Sequence, residues 1–188
     1  MSKILAEDKM QIVGTLSEGV LYRFTPSPFR LFPRSGKMHR MNIEQCIRFY
    51  FLLLHGYRVY VLANKKDDVL GCVMFANGGS YRYPFASKKD LICGPYYIVP
   101  EYRNKGIAKC LLSEVITNYE TEYEMIWAHI WYTNVASIKC MEKVGFKQVG
   151  KLMISKILHK CVVDENGHLV LVSLAKSDAG LLKERQNV

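Results

Sequence analysis

Residues 97–112 read YIVPEYRNKGIAKCLL, and two different periods meet inside them. The letters before Pro100 have the character of a strand. From Ile107 the apolar residues fall at helical spacing, with Ile107, Leu111 and Val115 in one row and Ala108, Leu112 and Ile116 in the next. Between the two runs stand Arg103, Asn104, Lys105 and Gly106. A strand that stops at Pro100 and a helix that starts near Lys105 leave backbone N–H groups without an intrahelical acceptor, at the positive end of the helix dipole, where an anion is stabilised. Gly106 has no Cβ and Ala108 only a methyl group, so a pyrophosphate has room to lie across successive amides, with Arg103 and Lys105 adding charge beside it. The same letters also fit a plain strand-to-helix turn with a solvated basic face. The stretch is neither G-x-G-x-x-G nor G-x-x-x-x-G-K-[ST], so it is not a dinucleotide fingerprint or a P-loop.

Outward from this junction the chain reads as alternating elements. A strand is expected somewhere within 12–24, ahead of Pro26, Pro28 and Pro33, which impose extended or turning backbone. Asn42 suits an N-cap for a helix to about Leu54, stopped by Gly56. Strands at 57–63 and 69–75 are joined across Lys65, Lys66, Asp67 and Asp68; an aromatic loop with Tyr81, Tyr83 and Phe85 leads to a strand at 91–99. After the helix from Ile107 come a strand at 125–132, a helix at 134–144 ended by Gly145 with Phe146 folding back, and a closing hairpin formed from 149–158 and 161–174 with its turn at 164–167. A polar tail follows from Lys176. The pattern predicts an α/β fold with a mixed, mostly antiparallel central sheet of about six to seven strands flanked by helices. No repeat or linker divides the chain, so one domain over 1–188 is expected, with 1–60 on the acceptor side, 69–174 as core and 176–188 as tail.

Composition bounds the function classes. The 188 residues are 49% hydrophobic and 23% charged, enough apolar content for a core without disulfides or metal. The net charge of +9 favours an anionic partner or is simply a basic solvated surface. The six cysteines form no C-x-x-C pair and sit mostly in apolar runs, which fits a reducing cytoplasm and no metal site. Lys3, Glu7, Asp8 and Lys9 exclude the apolar core of a signal peptide from the first ten residues, and the longest apolar run, 49–54, is too short to span a bilayer.

A second stretch decides between the two readings of the first. Residues 126–146, IWAHIWYTNVASIKCMEKVGF, give a strand, then Asn134 and Ser137, then a short helix ending in Gly-Phe. With both stretches in view the chain resembles the GNAT superfamily of acyl-CoA-dependent N-acyltransferases. That family's motif V-x-P-x-Y/F-R/Q-x-x-G-x-G/A is matched from Val99 to Ala108, and its N-x-x-S/A motif with a helix ending in G-F is matched by Asn134, Ser137, Gly145 and Phe146. The resemblance covers about 69–174 and implies acetyl-CoA as donor, with its pyrophosphate on the amides of Asn104, Lys105, Gly106, Ile107, Ala108 and Lys109, its pantetheine arm along Tyr97, Ile98 and Val99, and a small-molecule amine as acceptor. It also implies a splayed strand, for which Gly94-Pro95 is the natural place.

Attack of a neutral amine on a thioester requires a proton acceptor, an N–H aimed at the carbonyl oxygen and a proton source for the thiolate. By resemblance the N–H near Ile98 faces the oxygen and Asn134 holds pantetheine or a water, although Asn134 also suits a helix cap and Ser137 simple packing. His129 lies five residues before Asn134, where some relatives carry a glutamate base; imidazole, with a reference pKa of about 6.5, is a fit substitute. Alternation also places it on one face with Trp127 and Trp131, as a half-buried histidine among aromatics. Met141 stands where many relatives have the tyrosine that protonates the thiolate, which passes that role to Tyr132, Tyr96, Tyr97 or water. Phe29, Phe32, Tyr81, Tyr83 and Phe85, interleaved with Arg30, Arg34 and Arg82, suit either a mouth for an anionic amine such as a nucleotide-linked amino sugar, or loop packing. The rivals are an acyl-CoA sensor without turnover and a basic nucleic-acid module; the scattered cations and missing nucleic-acid motif speak against the second.

Overall fold

The computed structural model describes residues 10–33, 43–155 and 159–179. Asn42, Arg34 and most of the polar tail lie outside these residues. The chain groups into two compact units, one of Met1–Ala76 and Pro95–Leu111, the other of Asn77–Gly94 and Leu112–Val188.

The first unit carries β1 (Gln11–Thr15), β2 (Val20–Phe24), α1 (Ile43–His55), β3 (Tyr57–Ala63) and β4 (Val69–Asn77) to Ala76. The expected strand within 12–24 is two strands, because the chain reverses at Leu16–Gly19, where each end residue's amide donates to the other's carbonyl (2.7 and 3.2 Å). Gly19 is required there, since an added Cβ would lie 1.9 Å from the Ala63 carbonyl oxygen. The three neighbouring pairs β1–β2, β2–β3 and β3–β4 are all antiparallel. The charged turn after β3 is set by Asn64, whose Oδ1 accepts from the amides of Lys66 (2.8 Å) and Asp68 (3.0 Å), an Asx turn. α1 ends as expected at Gly56, which is left-handed (φ 77°) and donates to the Leu53 carbonyl.

The second unit holds the start of β5 (Leu91–Ile98), then β6 (Met125–Trp131), α3 (Val135–Val144), β7 (Lys147–Ile154), β8 (Cys161–Val163) and β9 (Leu169–Ala175); α2 (Ile107–Thr117) begins in the first unit and ends in the second. The turn at 164–167 separates β8 from β9 rather than closing a simple hairpin, and β7 pairs antiparallel with both. Gly167 is tucked under Leu152, whose carbonyl oxygen would lie 2.2 Å from a Cβ. These two reversals lift the strand count above the six to seven read from the sequence: among the described residues the sheet has nine strands in the order β1-β2-β3-β4-β5-β6-β9-β7-β8. The fold is the expected mixed α/β one. The β5–β6 pair is parallel, which requires a crossover, and α2 supplies it.

Candidate active site

In the first unit, β4 and the end of β5 set the stage for the junction. The Val99 amide donates to the Leu70 carbonyl at 3.0 Å, and Gly71 makes room for β5, since a Cβ there would lie 2.5 Å from Ile98 Cδ1 and 2.7 Å from the Tyr97 carbonyl oxygen. Nothing in the sequence beyond a glycine inside a strand signalled this. Burial pushes the neighbouring Cys72 thiol up to about 12, against a smaller lowering by the Tyr97 backbone, so the thiol stays protonated and inert. A single 3-10 turn, Pro100–Tyr102, follows β5; the Tyr102 amide donates to Val99 (2.9 Å) and the Arg103 amide to Pro100 (3.2 Å).

Beyond Arg103 the backbone changes hand twice. Asn104 (φ 61°) and Gly106 (φ 80°) are both left-handed and bracket Lys105. Among the described residues no acceptor faces any amide from Asn104 to Lys109; the next amide, Cys110, donates to the Gly106 carbonyl at 3.0 Å. Six successive unpartnered donors at a helix start form a positively polarised cradle of backbone amides. An ideal Cβ on Gly106 would meet nothing within 4 Å, so glycine is needed for the hand of the backbone and the space above it is open.

The side chains of this stretch divide. Ile98 and Ile107 are buried, Val99 and Ala108 half-buried, and Asn104, Lys105 and Lys109 exposed. Arg103 turns back toward the strand, where its Nε donates to the Ile98 carbonyl at 3.0 Å and its guanidinium stacks 5.6 Å from the Tyr97 ring; Lys105 sits 5.5 Å from the Tyr102 ring. The cradle is thus built from backbone donors, with the cations tethered beside it. One contact had no signal in the sequence: Glu18, in the β1–β2 turn, accepts from Ser17 Oγ (2.6 Å) and Cys110 Sγ (3.3 Å) on the first turn of α2. The Ser17 hydroxyl is the main cause that holds the Glu18 carboxyl below its ordinary value.

His129, Tyr132, Asn134 and Ser137 belong to the second unit. β6 alternates as read, with Ile126, Ala128 and Ile130 buried and Trp127, His129 and Trp131 on the other face. His129 is half-buried beside Tyr83, ring centroids 5.6 Å apart, and the rings continue through Tyr83–Phe85 (6.0 Å) to Phe85–Trp127 (5.5 Å). The buried carboxylate of Asp90 anchors this row, accepting from Trp127 Nε1 (3.1 Å) and the Ser87 amide (2.7 Å). Asp90 was missed in the sequence because its role depends on a loop closing onto it. The loop is fastened elsewhere too: the Arg82 carbonyl accepts from the Cys161 amide and Arg82 Nη1 donates to the His159 carbonyl, both at 2.8 Å.

Asn134 is the N-cap of α3, its Oδ1 accepting from the Ser137 amide at 3.2 Å. The cap leaves Nδ2 as a donor with no acceptor among the described residues. Tyr132 is exposed, its ring 6.3 Å from that of His168. Met141 is fully buried, so the position of the absent tyrosine is a core position here. Of the expected aromatics, Phe32 packs on Phe49 at 4.9 Å within the first unit, and Phe29 is fully exposed. Gly94 is left-handed (φ 118°) just before Pro95, where the chain passes from one unit to the other, and the parallel ladder pairs Leu91 with Ile126 and Ile92 with Trp127 just before it. Among the described residues no cluster of side chains suits a metal ion, and no helix is long and apolar enough to cross a membrane.

A strand-to-helix junction with unpartnered backbone donors at a helix start stands at the positive end of the helix dipole. The family model for the acetyltransferase (GNAT) family matches residues 21–146, and the chain belongs to that family. It is therefore an acetyltransferase that uses acetyl-CoA as donor. Solved structures share the fold at low identity. The spermidine N-acetyltransferase of Vibrio cholerae in complex with CoA and spermine is 16% identical, covering 74% of this chain and 79% of its own, with a TM-score of 0.52. A chimera of the Vibrio cholerae enzyme and hSSAT is 13% identical over 85% of this chain and 97% of its own, with a TM-score of 0.56. A protein of Acinetobacter baylyi ADP1 provisionally assigned as an acetyltransferase is 21% identical over 74% and 75%, with a TM-score of 0.54. No curated protein matches the chain by sequence.

Proposed function

We propose that this acetyltransferase acetylates the primary amine of a small cytoplasmic molecule by direct attack of the amine on the thioester. The observation that carries the donor half is the run of unpartnered amides from Asn104 to Lys109 between two left-handed residues. Six free donors at the positive end of a helix suit a pyrophosphate, and bound acetyl-CoA supplies an acyl group already activated as a thioester. Ile98 and Val99 orient the pantetheine arm through their backbone, and the N–H near Ile98 polarises the carbonyl. Arg103 holds the end of β5 through the Ile98 carbonyl.

His129 accepts the amine proton, directly or through a water, and Asn134 uses the Nδ2 left over from capping to hold a water or the pantetheine. Tyr132, exposed at the end of β6, returns a proton to the departing thiolate. Several related structures name spermidine as substrate, but a chain of net charge +9 repels a polycation, which favours an anionic amine such as a nucleotide-linked amino sugar. Binding without turnover is the second reading, favoured by Met141 in the place of the usual proton donor. Release of CoA thiol from acetyl-CoA is the test, with a panel of amino sugars, amino acids and spermidine. Amine-dependent thiol release supports the enzyme; CoA binding with no release for any amine supports the sensor; no CoA binding at modest salt overturns both.

A further inference from the structure

We propose that the outer face of α1 is a homodimer interface on which a second copy of this chain lays its own α1. The helix reads IEQCIRFYFLLLH. Its inner side is core, with Leu52 buried and Phe49 held between the rings of Phe32 (4.9 Å) and Tyr57 (5.5 Å). On another side Ile43, Ile47, Tyr50, Phe51 and Leu54 are each between 49 and 81% exposed. An exposed apolar patch of this extent, beside a packed inner face, marks a contact surface.

Spacing selects the occupant. Ile43, Ile47, Tyr50 and Leu54 alternate by four, three and four residues, the seam of paired helices, and Phe51 flanks it. The seam is self-complementary: under a two-fold axis, with the helices antiparallel, Ile43 of one copy meets Leu54 of the other and Ile47 meets Tyr50, as an isologous contact requires. Phe29 extends the patch, fully exposed on a turn that Tyr50 fastens to the helix through its hydroxyl and the Pro28 carbonyl (2.6 Å). A standard interface takes about 800 Å² from each partner. An aromatic ring buried from full exposure contributes roughly 150–250 Å²; Phe29, Phe51 and Tyr50 have 100, 67 and 49% of their surface still exposed, and with Ile43, Ile47 and Leu54 they supply part of that area. A membrane surface fits less well, because an interfacial helix keeps a charged face toward water and the inner face of α1 is packed core.

The proposal is independent of the acetyl-transfer chemistry. Light scattering on the full chain across a wide concentration range should give a dimer mass that falls to the monomer on dilution. Ile47→Glu and Phe51→Glu should each weaken association by about tenfold or more while leaving the circular-dichroism spectrum unchanged. Should either variant misfold, mixing Ile47→Cys with Tyr50→Cys protein under oxidant keeps the question open to test, since an antiparallel seam joins the two mutants through a disulfide that forms poorly in either alone. A wild-type monomer at every concentration overturns the proposal. So does a dimer that neither glutamate disturbs, or a monomer that sediments with phosphatidylserine vesicles.

Discussion

The chain builds two strand-to-helix junctions, and they solve the same problem in opposite ways. At the start of α3, the side-chain Oδ1 of Asn134 accepts from the Ser137 amide, so the helix satisfies part of its end internally. At the start of α2, Asn104 and Gly106 adopt left-handed backbone and six amides are left facing outward. Both begin with asparagine and both lie in matched family motifs, yet one asparagine is used for its side chain and the other for its tolerance of positive φ. The open junction keeps its donors available to an anion, as the proposed donor site requires, while the closed one uses its cap to fix the start of α3.

The largest expected effect concerns the strand that feeds the closed junction. If His129 takes the amine proton, His129→Ala lowers kcat by about 10²–10⁴ with CoA affinity unchanged, measured by thiol release and calorimetry. An unchanged rate would leave the β6 junction with structural duties alone. Next is Gly106→Val at the open junction. Forcing a side chain into the left-handed region costs about 1–2 kcal/mol and shifts the backbone that aims the amides, so CoA affinity should drop tenfold or more. Wild-type affinity would break the contrast, because it would mean that the free amides hold nothing.

How much of this was legible follows from the range of the interactions involved. The junction at Pro100 to Ile107 was readable because its signals are local: a proline, a glycine and a change of period within ten letters. Gly56 and Gly145 were readable for the same reason, each ending a helix with a left-handed residue. The doubling of the first strand was not, since the reversal at Leu16–Gly19 carries a single glycine whose necessity comes from Ala63, more than forty residues away. Asp90 was hidden because a carboxylate among surface-like letters becomes a buried anchor only once Trp127 is set across from it. Arg103 is expected from the sequence to add charge beside the anion; its bond to the Ile98 carbonyl depends on a fold-back that spacing alone does not reveal.

Asn134 offers a smaller and sharper test of the closed junction. Asn134→Ala removes the cap and should cost about 1 kcal/mol, read as a lowered melting temperature. Asn134→Asp keeps an oxygen for the Ser137 amide and loses only the Nδ2 donor, so stability should hold while turnover falls. If Asn134→Asp melts and turns over like wild type while Asn134→Ala melts lower, the cap is the residue's whole function.

Lys105 is expected to give the smallest effect, and its value lies in separating backbone from side chain at the open junction. The ammonium is exposed and rests 5.5 Å from the Tyr102 ring, so its attraction for a bound phosphate is screened by solvent and salt. Lys105→Ala should weaken CoA binding only a few-fold at low ionic strength, and the difference from wild type should vanish as salt is raised. The Gly106→Val defect should persist at every salt concentration, because amide donors made unreachable are not restored by screening. A Lys105→Ala loss as large as that of Gly106→Val at low ionic strength would shift the recognition of the anion from the cradle of amides to its tethered cations.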